Sequence, residues 1–450
     1  MKNVKIAFHT LGCKVNIYET GVMEQDAAQH GAVLTPFTEK ADVYVVNTCS
    51  VTNIADRKSR QMLHRAKALN PEAVVVAAGC YAETEDREKL LETGVDLILG
   101  NEEKKRIGAV LEAYLEKGVL PVNPDISAVR GYSPEKLPAM TSRTRADVKV
   151  QDGCNQFCTY CIIPYARGRI RSKALSDAVR EIADLAKTGV REIVLTGIHL
   201  SSYGKDFPEG KPDLLDLIRA VHEVEGVRRI RLGSLEPRII TEEFVSALAA
   251  LPKFCPHFHL SLQSGSATVL KRMNRHYSPE EYAERVAFIR RHFAHPAITT
   301  DVIAGFPGET AEEFAETLDF VRRIGFYEMH VFQYSRRKGT PADRMPDQVK
   351  EPVKKERSEA LIRLRDEMSK AYERSLLGES VELLTEEKSD ALGLAEGYTK
   401  EYVRAYVPAS FGTNRILRGI LRENHGKYEL EAPVFCEDGA GNNLETSGTL

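Results

Sequence analysis

Residues 1–117 alternate short apolar runs with longer stretches of helical pattern. This alternation predicts strands followed by helices, and repeated strand–helix units favour a doubly wound parallel sheet. The predicted strands are 5–10, 42–48, 73–79 and 95–100, and the predicted helices are 18–30, 53–69, 83–93 and 102–117. The N-terminal region is therefore expected to be an α/β domain.

The pattern changes between residues 118 and 145, a stretch rich in Pro, Gly and Ser that carries neither a helical nor a strand period. Such composition is typical of a linker between domains. From residue 146 the alternation resumes, with strands predicted at 147–153, 192–200, 228–237, 257–265, 297–308 and 327–335. Helices are predicted between them at 174–188, 213–224, 241–250, 279–292 and 310–323. These units predict a partial (βα)6 TIM-like barrel, whose active site lies at the carboxyl ends of the strands.

Residues 353–377 have apolar positions at 361, 364, 368 and 372, the pattern of an amphipathic helix that is expected to strap the barrel. The tail that follows has short strand patterns separated by Gly-rich turns, which suggest a small β-barrel. The predicted organisation is an N-terminal domain over 1–117, a linker over 118–145, a barrel with its strap helix over 146–376, and a small β-barrel over 377–450.

Composition narrows the class of protein. The chain has 450 residues, a net charge of −3 and eight cysteines. The length suggests about two to four domains, the charge favours no particular partner, and the cysteines are too few for a disulfide scaffold. The N-terminus has no apolar leader, and no run approaches the ~18 apolar residues of a membrane span. The expected location is the cytoplasm, without membrane association.

Three cysteines lie close together directly after the first predicted barrel strand. Cys154, Cys158 and Cys161 have C-x3-C-x2-C spacing. Thiolates are the usual ligands of a [4Fe–4S] cluster, and three of them leave one iron open. An open iron can bind S-adenosylmethionine (SAM) and pass an electron to its sulfonium. In this spacing the chain resembles the radical SAM enzymes. Structural zinc is less favoured because it takes four ligands and the nearest Cys or His that follows is His199. A redox disulfide would use only two of the three cysteines.

Three further cysteines, Cys13, Cys49 and Cys80, each follow one of the first three predicted strands. The carboxyl ends of parallel strands meet at the edge of the sheet where ligands bind. The three thiols are therefore expected to converge and to hold a second cluster with an open iron. Three separately buried cysteines are the simplest alternative, which the repeated placement disfavours. Cys255 and Cys436 fall outside both groups and are interpreted as structural.

Polar residues and glycines at the ends of the other predicted strands are candidate contacts for SAM or substrate. Six are chosen from their position at the carboxyl face of the barrel: Glu236, Ser261, Gln263, Ser264, Asp301 and Gly305. Turn formation is the alternative explanation for residues of these types.

Longer stretches support a specific relationship. From residue 10 to about residue 342 the chain contains TLGCKVNIYET, VNTCSVTNIADRKSR, AAGCYAE, GCNQFCTYCIIPYARGRIRSK, LTGIHLSSYG, LQSGSATVLKRMNR, DVIAGFPGET and FQYSRRKGTPA. In these stretches the chain resembles the radical SAM methylthiotransferases. The resemblance implies two [4Fe–4S] clusters, SAM as cosubstrate and a C-terminal TRAM barrel. It assigns the SAM cluster to Cys154, Cys158 and Cys161, and the auxiliary cluster to Cys13, Cys49 and Cys80.

Within that family, GIHLSSYG and NIADRKSR are most similar to the branch that modifies N6-threonylcarbamoyladenosine at position 37 of tRNA. The resemblance implies that the C2 hydrogen of the base is exchanged for a methylthio group. One SAM is expected to methylate the donated sulfur, and a second is expected to supply the radical. The anticodon loop of tRNA and a flavodoxin-like reductant protein are the expected partners. No catalytic acid or base is assigned.

Basic residues form four clusters: Arg57, Lys58, Arg60, Arg65 and Lys67 on the helix after Cys49; Arg167, Arg169, Arg171 and Lys173; Lys271, Arg272 and Arg275; and Arg336, Arg337 and Lys338. The last three leave the carboxyl face of the predicted barrel and are expected to meet phosphates at its mouth. Solvated surface charge is the alternative for each cluster.

Other functions stay open at this stage. Residues 375–436 contain seven basic and ten acidic side chains, which keeps modification of an aspartate on a ribosomal protein as an alternative. Modification of isopentenyladenosine in tRNA is another. A purely electron-carrying or RNA-scaffolding iron–sulfur protein is disfavoured, because an electron carrier gains nothing from an open iron.

Overall fold

The computed structural model describes residues 1–133, 135, 144–389 and 393–436. The remaining parts of the predicted linker and of the predicted C-terminal barrel lie outside the described residues. The chain forms two compact units, Met1–Lys370 and Ala371–Leu450. The finer division predicted from sequence, with a linker at 118–145, stays a prediction.

A five-stranded sheet forms the N-terminal part of the first unit. Its strands are β1 (Lys5–Thr10), β2 (Val33–Leu34), β3 (Val43–Thr48), β4 (Val74–Gly79) and β5 (Leu97–Leu99). They lie in the order β2-β1-β3-β4-β5, and each neighbouring pair is parallel. The helices are α1 (Lys14–Gln29), α2 (Asn53–Leu69), α3 (Cys80–Thr84), α4 (Arg87–Leu91) and α5 (Ile107–Lys117). All six residues of β3 are buried, as expected for a strand covered on both faces. The predicted doubly wound parallel sheet is confirmed.

Six parallel strands follow. They are β6 (Arg145–Asp152), β8 (Glu192–Gly197), β9 (Arg229–Leu232), β10 (His257–His259), β11 (Ala297–Ala304) and β12 (Glu328–Gln333), and the short β7 (Arg171–Ser172) pairs antiparallel with β6. Parallel pairing joins β6 to β8 and β8 to β9, and joins β10 to β11 and β11 to β12. Isolated parallel bridges, one of them Leu235 to Leu260, continue the pairing from β9 towards β10. The partial barrel predicted from sequence is therefore confirmed.

The short α6 (Ile163–Arg167) lies in the segment between β6 and β7. The helices that pack on the outside of the barrel are α7 (Leu175–Lys187), α8 (Leu214–His222), α9 (Glu242–Ala249), α10 (Ala267–Arg272), α11 (Pro279–His292), α12 (Ala311–Ile324) and α13 (Glu351–Ser375). Alternate strand residues such as Val148, Leu195 and Val302 belong to the main core, together with apolar residues of the covering helices. Because side chains alternate along a strand, the residues between them face the inside of the barrel. The inward-facing positions include the candidate residues Ser261 and Asp301.

The second unit is a closed barrel of five strands, in the order β13-β14-β15-β17-β16. Its strands are β13 (Ser380–Ser389), β14 (Leu394–Thr399), β15 (Arg404–Pro408), β16 (Ile416–Asn424) and β17 (Lys427–Phe435). The small β-barrel expected for the tail is confirmed. In the part of the chain that the structure describes, none of the helices is both long and apolar enough to cross a membrane.

Candidate functional site

The first cysteine group lies on the loop after β6. The amide of Cys154 donates to the carbonyl oxygen of Gly168 over 3.0 Å, and the amide of Cys161 donates to that of Cys158 over 2.9 Å. Gly153, which precedes the group, has φ +70°, and a Cβ there would overlap the carbonyl oxygen of Arg169. The tight turn that brings three thiols together therefore requires glycine at this position.

The chemistry of this group suits a metal cluster. The three thiols are free, and burial raises the pKa of Cys154 to about 11 and that of Cys161 to about 12. Arg275 places Nη1 3.3 Å from Sγ of Cys158, which is favourable for a sulfur that becomes a thiolate on binding metal. Nη2 of the same arginine is buried and has no protein partner among the described residues. Three soft donors beside a cation fit an iron–sulfur cluster.

The second cysteine group is assembled from three strand ends, as the sequence pattern predicted. Cys13 is the N-cap residue of α1 after β1, Cys49 follows β3, and Cys80 begins α3 after β4. These strands are neighbours in the sheet, and the strand order reverses between β1 and β3, the kind of position where α/β sheets bind ligands. A Cβ at Gly12 would lie 2.8 Å from Sγ of Cys49. The turn that carries Cys13 is thus packed against the second cysteine.

The donor set of this second group also fits a cluster. Cys13, Cys49 and Cys80 are free thiols. Burial raises the pKa of Cys49 to about 11, and the neighbouring Cys80 and Cys13 add to the effect. Because the three residues follow neighbouring parallel strands, their sulfurs meet at one edge of the sheet, as shared ligation of one cluster requires.

Two asparagines organise the strand ends. Asn47, near the end of β3, donates to the carbonyl oxygen of Asn16 over 2.9 Å and accepts from Nζ of Lys104 over 3.1 Å. Asn16 donates to the carbonyl oxygen of Thr48 over 3.0 Å. Gly79 has φ +93°, and a Cβ there would lie 2.7 Å from Oδ1 of Asn47. Sequence analysis did not assign these asparagines a role, although both lie in the stretches that surround Cys13 and Cys49.

Arg167 connects the two cysteine groups. It ends α6, six residues after Cys161, and its side chain is fully buried. Its Nε donates to Sγ of Cys80 over 3.2 Å. Its two Nη atoms reach the carboxylate of Glu19 over 2.5 and 3.0 Å, and Nη2 donates to Oδ1 of Asn16 over 2.7 Å. A residue from the loop of the first group therefore contacts a cysteine of the second.

The buried position of Arg167 shows that part of the prediction for the basic clusters, that they meet phosphates at the mouth of the barrel, is wrong. Arg167, Arg171, Lys173 and Arg337 are all buried, and Arg275 bonds Cys158 and Tyr277. These side chains do not line the opening of the barrel, because they pair with other groups inside the protein. Lys173, for example, pairs with Glu181 over 2.5 Å. The members of the clusters that are exposed are Arg57, Lys58, Arg65, Arg169, Lys271, Arg336 and Lys338.

A second connection joins the loop after β12 to the loop after Cys49. Arg337 donates to Asp56 over 2.6 Å and to Oγ of Ser50 over 2.7 Å. The amide of Asn53 donates to Oγ of Ser335 over 3.0 Å. The cluster of Arg336, Arg337 and Lys338 therefore includes one residue that holds the N-terminal sheet to the barrel.

Of the predicted strand-end residues, Glu236 acts electrostatically on the first cysteine group. It is buried, its carboxylate accepts from Nε of Arg238 over 2.7 Å, and its charge acts on both Cys154 and His199. Burial lowers the pKa of His199 to about 4. Nδ1 of this neutral imidazole lies 2.7 Å from Oγ of Ser202, and Nε2 is buried with no protein partner among the described residues.

The remaining predicted residues divide into two sets. Ser261 and Asp301 occupy inward-facing positions, and Gln263, with φ +69°, forms a bridge to β11. Ser264 is fully buried and its hydroxyl lies 3.2 Å from that of Thr317 on α12, so the outer helix takes up this side chain. Gly305 has φ +74°, and a Cβ there would overlap the Lys354 side chain. Ser264 and Gly305 therefore have packing roles that the sequence did not reveal.

Sequence analysis missed two histidines inside the barrel. Nε2 of His259 lies 3.2 Å from a carboxylate oxygen of Asp301, and Nδ1 lies 3.0 Å from Oγ1 of Thr299. The ring of His330 stacks on that of His259, with centroids 5.7 Å apart. Inward-facing alternation in HFHL and EMHVF was the available signal. The group places two imidazoles and a carboxylate on the interior face of β10, β11 and β12.

Comparisons with known proteins agree with this architecture. Residues 148–321 match the Radical SAM superfamily, and residues 5–100 match the Uncharacterized protein family UPF0004. A solved structure of the radical S-adenosylmethionine methyltransferase TsrM from Kitasatospora setae has a similar fold, with a TM-score of 0.57, 16% identity, and coverage of 76% of this chain and 77% of that chain.

Two curated relatives are similar over nearly the whole chain. Threonylcarbamoyladenosine tRNA methylthiotransferase MtaB of Bacillus subtilis is 44% identical over 404 residues, which cover 89% of each protein. tRNA-2-methylthio-N(6)-dimethylallyladenosine synthase of Pelotomaculum thermopropionicum is 39% identical over 401 residues, which cover 87% of this chain and 88% of that protein. The family expected from the sequence stretches is confirmed, and the chain belongs to the radical SAM methylthiotransferases.

Proposed function

We propose that this protein replaces the C2 hydrogen of N6-threonylcarbamoyladenosine, at position 37 of tRNA, by a methylthio group. The observation that carries the proposal is the presence of two separate three-cysteine groups in one compact unit, joined through Arg167. A methylthio transfer to an unactivated carbon needs both a radical source and a sulfur source. The MtaB relative, at 44% identity, is named for this substrate.

Each cysteine group has a proposed cofactor. Cys154, Cys158 and Cys161 would hold the [4Fe–4S] cluster that binds SAM, and Cys13 and Cys49, with Cys80, would hold the auxiliary [4Fe–4S] cluster. When bound, these groups supply the carbon radical and the transferable sulfur, chemistry that belongs to the cofactors. The protein contributes the arrangement of the six thiols, three of them on buried cysteines, and one arginine contact to each group.

Residues of the barrel interior would bind and orient SAM and the substrate base. Glu236, Ser261, Gln263 and Asp301 are proposed contacts. Ser264 and Gly305 are proposed contacts that also have packing roles. The neutral His199 offers an unpartnered Nε2 beside the first cysteine group. His259 is held on both ring nitrogens, so its orientation is set before a ligand enters, which lowers the entropy cost of binding.

An exposed aromatic and basic patch near the first cysteine group supports RNA as the substrate. Phe157 and Tyr165 form an edge-to-face pair with centroids 5.8 Å apart, and Tyr165 is 45% exposed. The Arg169 guanidinium lies 4.9 Å from the centre of the Phe157 ring. Proteins recognise single-stranded RNA loops with aromatic rings and cations of this kind. Exposed basic side chains on α2, such as Arg57 and Lys58, are available for phosphates.

The C-terminal barrel is consistent with a role in RNA binding despite its acidic composition. Four of its arginines, Arg404, Arg415, Arg418 and Arg422, are exposed. Arg418 and Arg422 lie on the same side of β16, because strand residues of even spacing share a face. Segregation of cations on the surface allows phosphate contacts even when the net charge of a domain is slightly negative.

Two alternatives keep specific support. The dimethylallyladenosine synthase relative is 39% identical over 87% of this chain, close to the value for MtaB, so the sister tRNA substrate is the second candidate. Modification of an aspartate on a ribosomal protein rests only on the acidic balance of residues 375–436. The cytoplasm is the proposed location, and a flavodoxin-like protein is the proposed reductant.

Nucleoside mass spectrometry of bulk tRNA, from cells with and without this gene, tests the proposal. Loss of the methylthio form of threonylcarbamoyladenosine alone is the expected result. Loss of the methylthio form of isopentenyladenosine instead would move the activity to the sister substrate. Persistence of both modifications, in cells without another enzyme able to make them, would contradict a tRNA substrate and favour the ribosomal protein.

A further inference from the structure

Arg167 belongs by sequence to one cysteine group and by contact to the other. It lies six residues after Cys161, yet its closest sulfur contact is Sγ of Cys80, at 3.2 Å from Nε. Arg275 makes the corresponding contact in the first group, at 3.3 Å from Sγ of Cys158. Each group therefore has its own arginine, and the two arginines come from different segments of the barrel.

The other guanidinium nitrogens of Arg167 are fixed by oxygens. Nη1 and Nη2 contact the carboxylate of Glu19, Nη2 also donates to Asn16, and Nη1 lies 3.4 Å from Asp152. Only Nε is directed at sulfur. With both Nη atoms held, the Nε–H bond direction is set by the rigid plane of the guanidinium.

The buried charges around Arg167 indicate why its contact with Cys80 is favourable. Glu19 already accepts from Nζ of Lys104 over 2.6 Å and from Nζ of Lys149 over 2.9 Å. Asp152 and Glu135 are further buried acidic partners, Asp152 of Lys149, Arg167 and Arg171, and Glu135 of Lys149. Four buried cations therefore share three buried carboxylates. A buried cation is costly unless enough negative charge lies nearby, and Sγ of Cys80, which becomes a thiolate when it binds metal, lies next to Arg167. The pocket is suited to an anionic ligand sulfur at this position.

We infer that Arg167 is a positioning residue for the auxiliary cluster. The contact from its Nε–H to Cys80 holds the cluster in place, and the positive charge of Arg167 raises the reduction potential of the cluster. The inference rests on the proposed function, in which Cys80 is a cluster ligand. Hydrogen bonds to ligand sulfurs and nearby charge are established determinants of iron–sulfur potentials. Groups that contact the ligands of a metal typically change its affinity by about 10- to 100-fold when removed.

Two consequences distinguish this role from simple packing. The potential of the auxiliary cluster should depend on Arg167, whereas that of the SAM cluster should depend on Arg275. Arg171 offers a matched control, since it is also buried, follows Arg167 by four residues and is 3.5 Å from Asp152. The contacts of its Nη1, however, are to backbone carbonyls and not to sulfur.

The experiment uses the full-length chain with Cys154, Cys158 and Cys161 replaced by Ala, so that only the auxiliary cluster is present. The variants Arg167→Met, Arg167→Lys and Arg171→Met are compared by redox titration and by iron loss to a chelator. The expected order of potential, from most negative upward, is Arg167→Met, Arg167→Lys, then the parent and Arg171→Met together. The iron affinity should fall about 10- to 100-fold in Arg167→Met.

Each outcome is informative. Equal potentials in Arg167→Met and the parent would overturn the inference, as would an equal shift in Arg171→Met. If Arg167→Met does not fold, Arg167→Lys decides, because it keeps the cation and removes the directed Nε–H. A parent chain that binds no cluster would instead overturn the ligand assignment itself, and the inference with it.

Discussion

The two cysteine groups are built in opposite ways. Cys154, Cys158 and Cys161 lie on one loop, whose turn depends on Gly153. Cys13, Cys49 and Cys80 come from three strand ends and meet only when β1, β3 and β4 pair in register. The first group is a local structure and the second is a product of topology. The sequence spacing of the cysteines therefore identifies the first group as a cluster site, whereas the spacing of the second group does not.

Replacing one cysteine in each group gives the largest expected effects. Cys158→Ala should abolish cleavage of SAM to 5′-deoxyadenosine. Cys49→Ala should retain that cleavage, because it leaves the loop of Cys154, Cys158 and Cys161 intact. It should abolish the methylthio nucleoside, because it removes a proposed ligand of the auxiliary cluster. Liquid chromatography with mass spectrometry measures both products in one reaction. A Cys49→Ala enzyme that still makes the methylthio product would break the comparison between the groups.

Gly12→Ala should disturb the group of Cys13, Cys49 and Cys80 without replacing any of its cysteines. Its φ of +102° disfavours alanine, and the new Cβ would lie 2.8 Å from Cβ and Sγ of Cys49, so Cys49 must move. We expect loss of auxiliary iron with SAM cleavage retained, measured by iron analysis and product assays. Gly118→Ala is the control, because Gly118 also has a positive φ, +64°, but no atom lies within 4 Å of its added Cβ. Equal iron loss in both variants would count against a steric cause.

Arg337→Met tests the connection between the loops after β12 and after Cys49. It leaves Asp56 without its 2.6 Å partner in a nearly buried site. Removing one partner of a buried ion pair costs about 3 kcal/mol or more, so the unfolding free energy should fall. Chemical denaturation measures the loss, and Asp56→Asn in the same chain should restore part of it. No rescue by the second substitution would indicate that the pair is not the source of the loss.

Asn101→Ala should have the smallest effect. Nδ2 of Asn101 donates to the carbonyl oxygen of Ala166 on α6 over 2.7 Å and lies 3.7 Å from Sγ of Cys80. Loss of one such hydrogen bond costs about 1 kcal/mol. A modest decrease in unfolding free energy is expected, with faster iron loss from the auxiliary group than from the SAM group. An unchanged rate of iron loss would restrict Asn101 to a structural role.

Much of the architecture could be predicted from the hydrophobic pattern of the sequence. The predicted bounds that were wrong have local causes in the backbone. The strand predicted at 257–265 ends at His259, and the chain takes a positive φ of +69° at Gln263. The strand predicted at 297–308 ends at Ala304 because Gly305 has φ +74°. The helix predicted at 83–93 is two short helices, and β2 is too short to give a strand pattern.

The roles of the charged residues were less predictable. Arg167 and Arg337 belong to basic runs in the sequence, and nothing in those runs shows that each has buried acidic partners. Those partners, Glu19 and Asp56, are more than 140 and 280 residues away. Long-range pairing of this kind is a property of the folded chain, whereas the six cysteines were identifiable from spacing and from their positions after strands.

The buried contact between Glu19 of α1 and Lys149 of β6, 2.9 Å apart, has a consequence for how such proteins can be recombined. A graft that replaced the N-terminal sheet by that of a distant homologue would have to supply a matching carboxylate for Lys149 and Arg167. Otherwise Arg167 would keep only Asp152 as an acidic partner, and Lys149 only Asp152 and Glu135. The two halves of the first unit are thus expected to be inherited as one piece, and hybrid enzymes made by cutting between them should need compensating changes at Glu19 and Asn16.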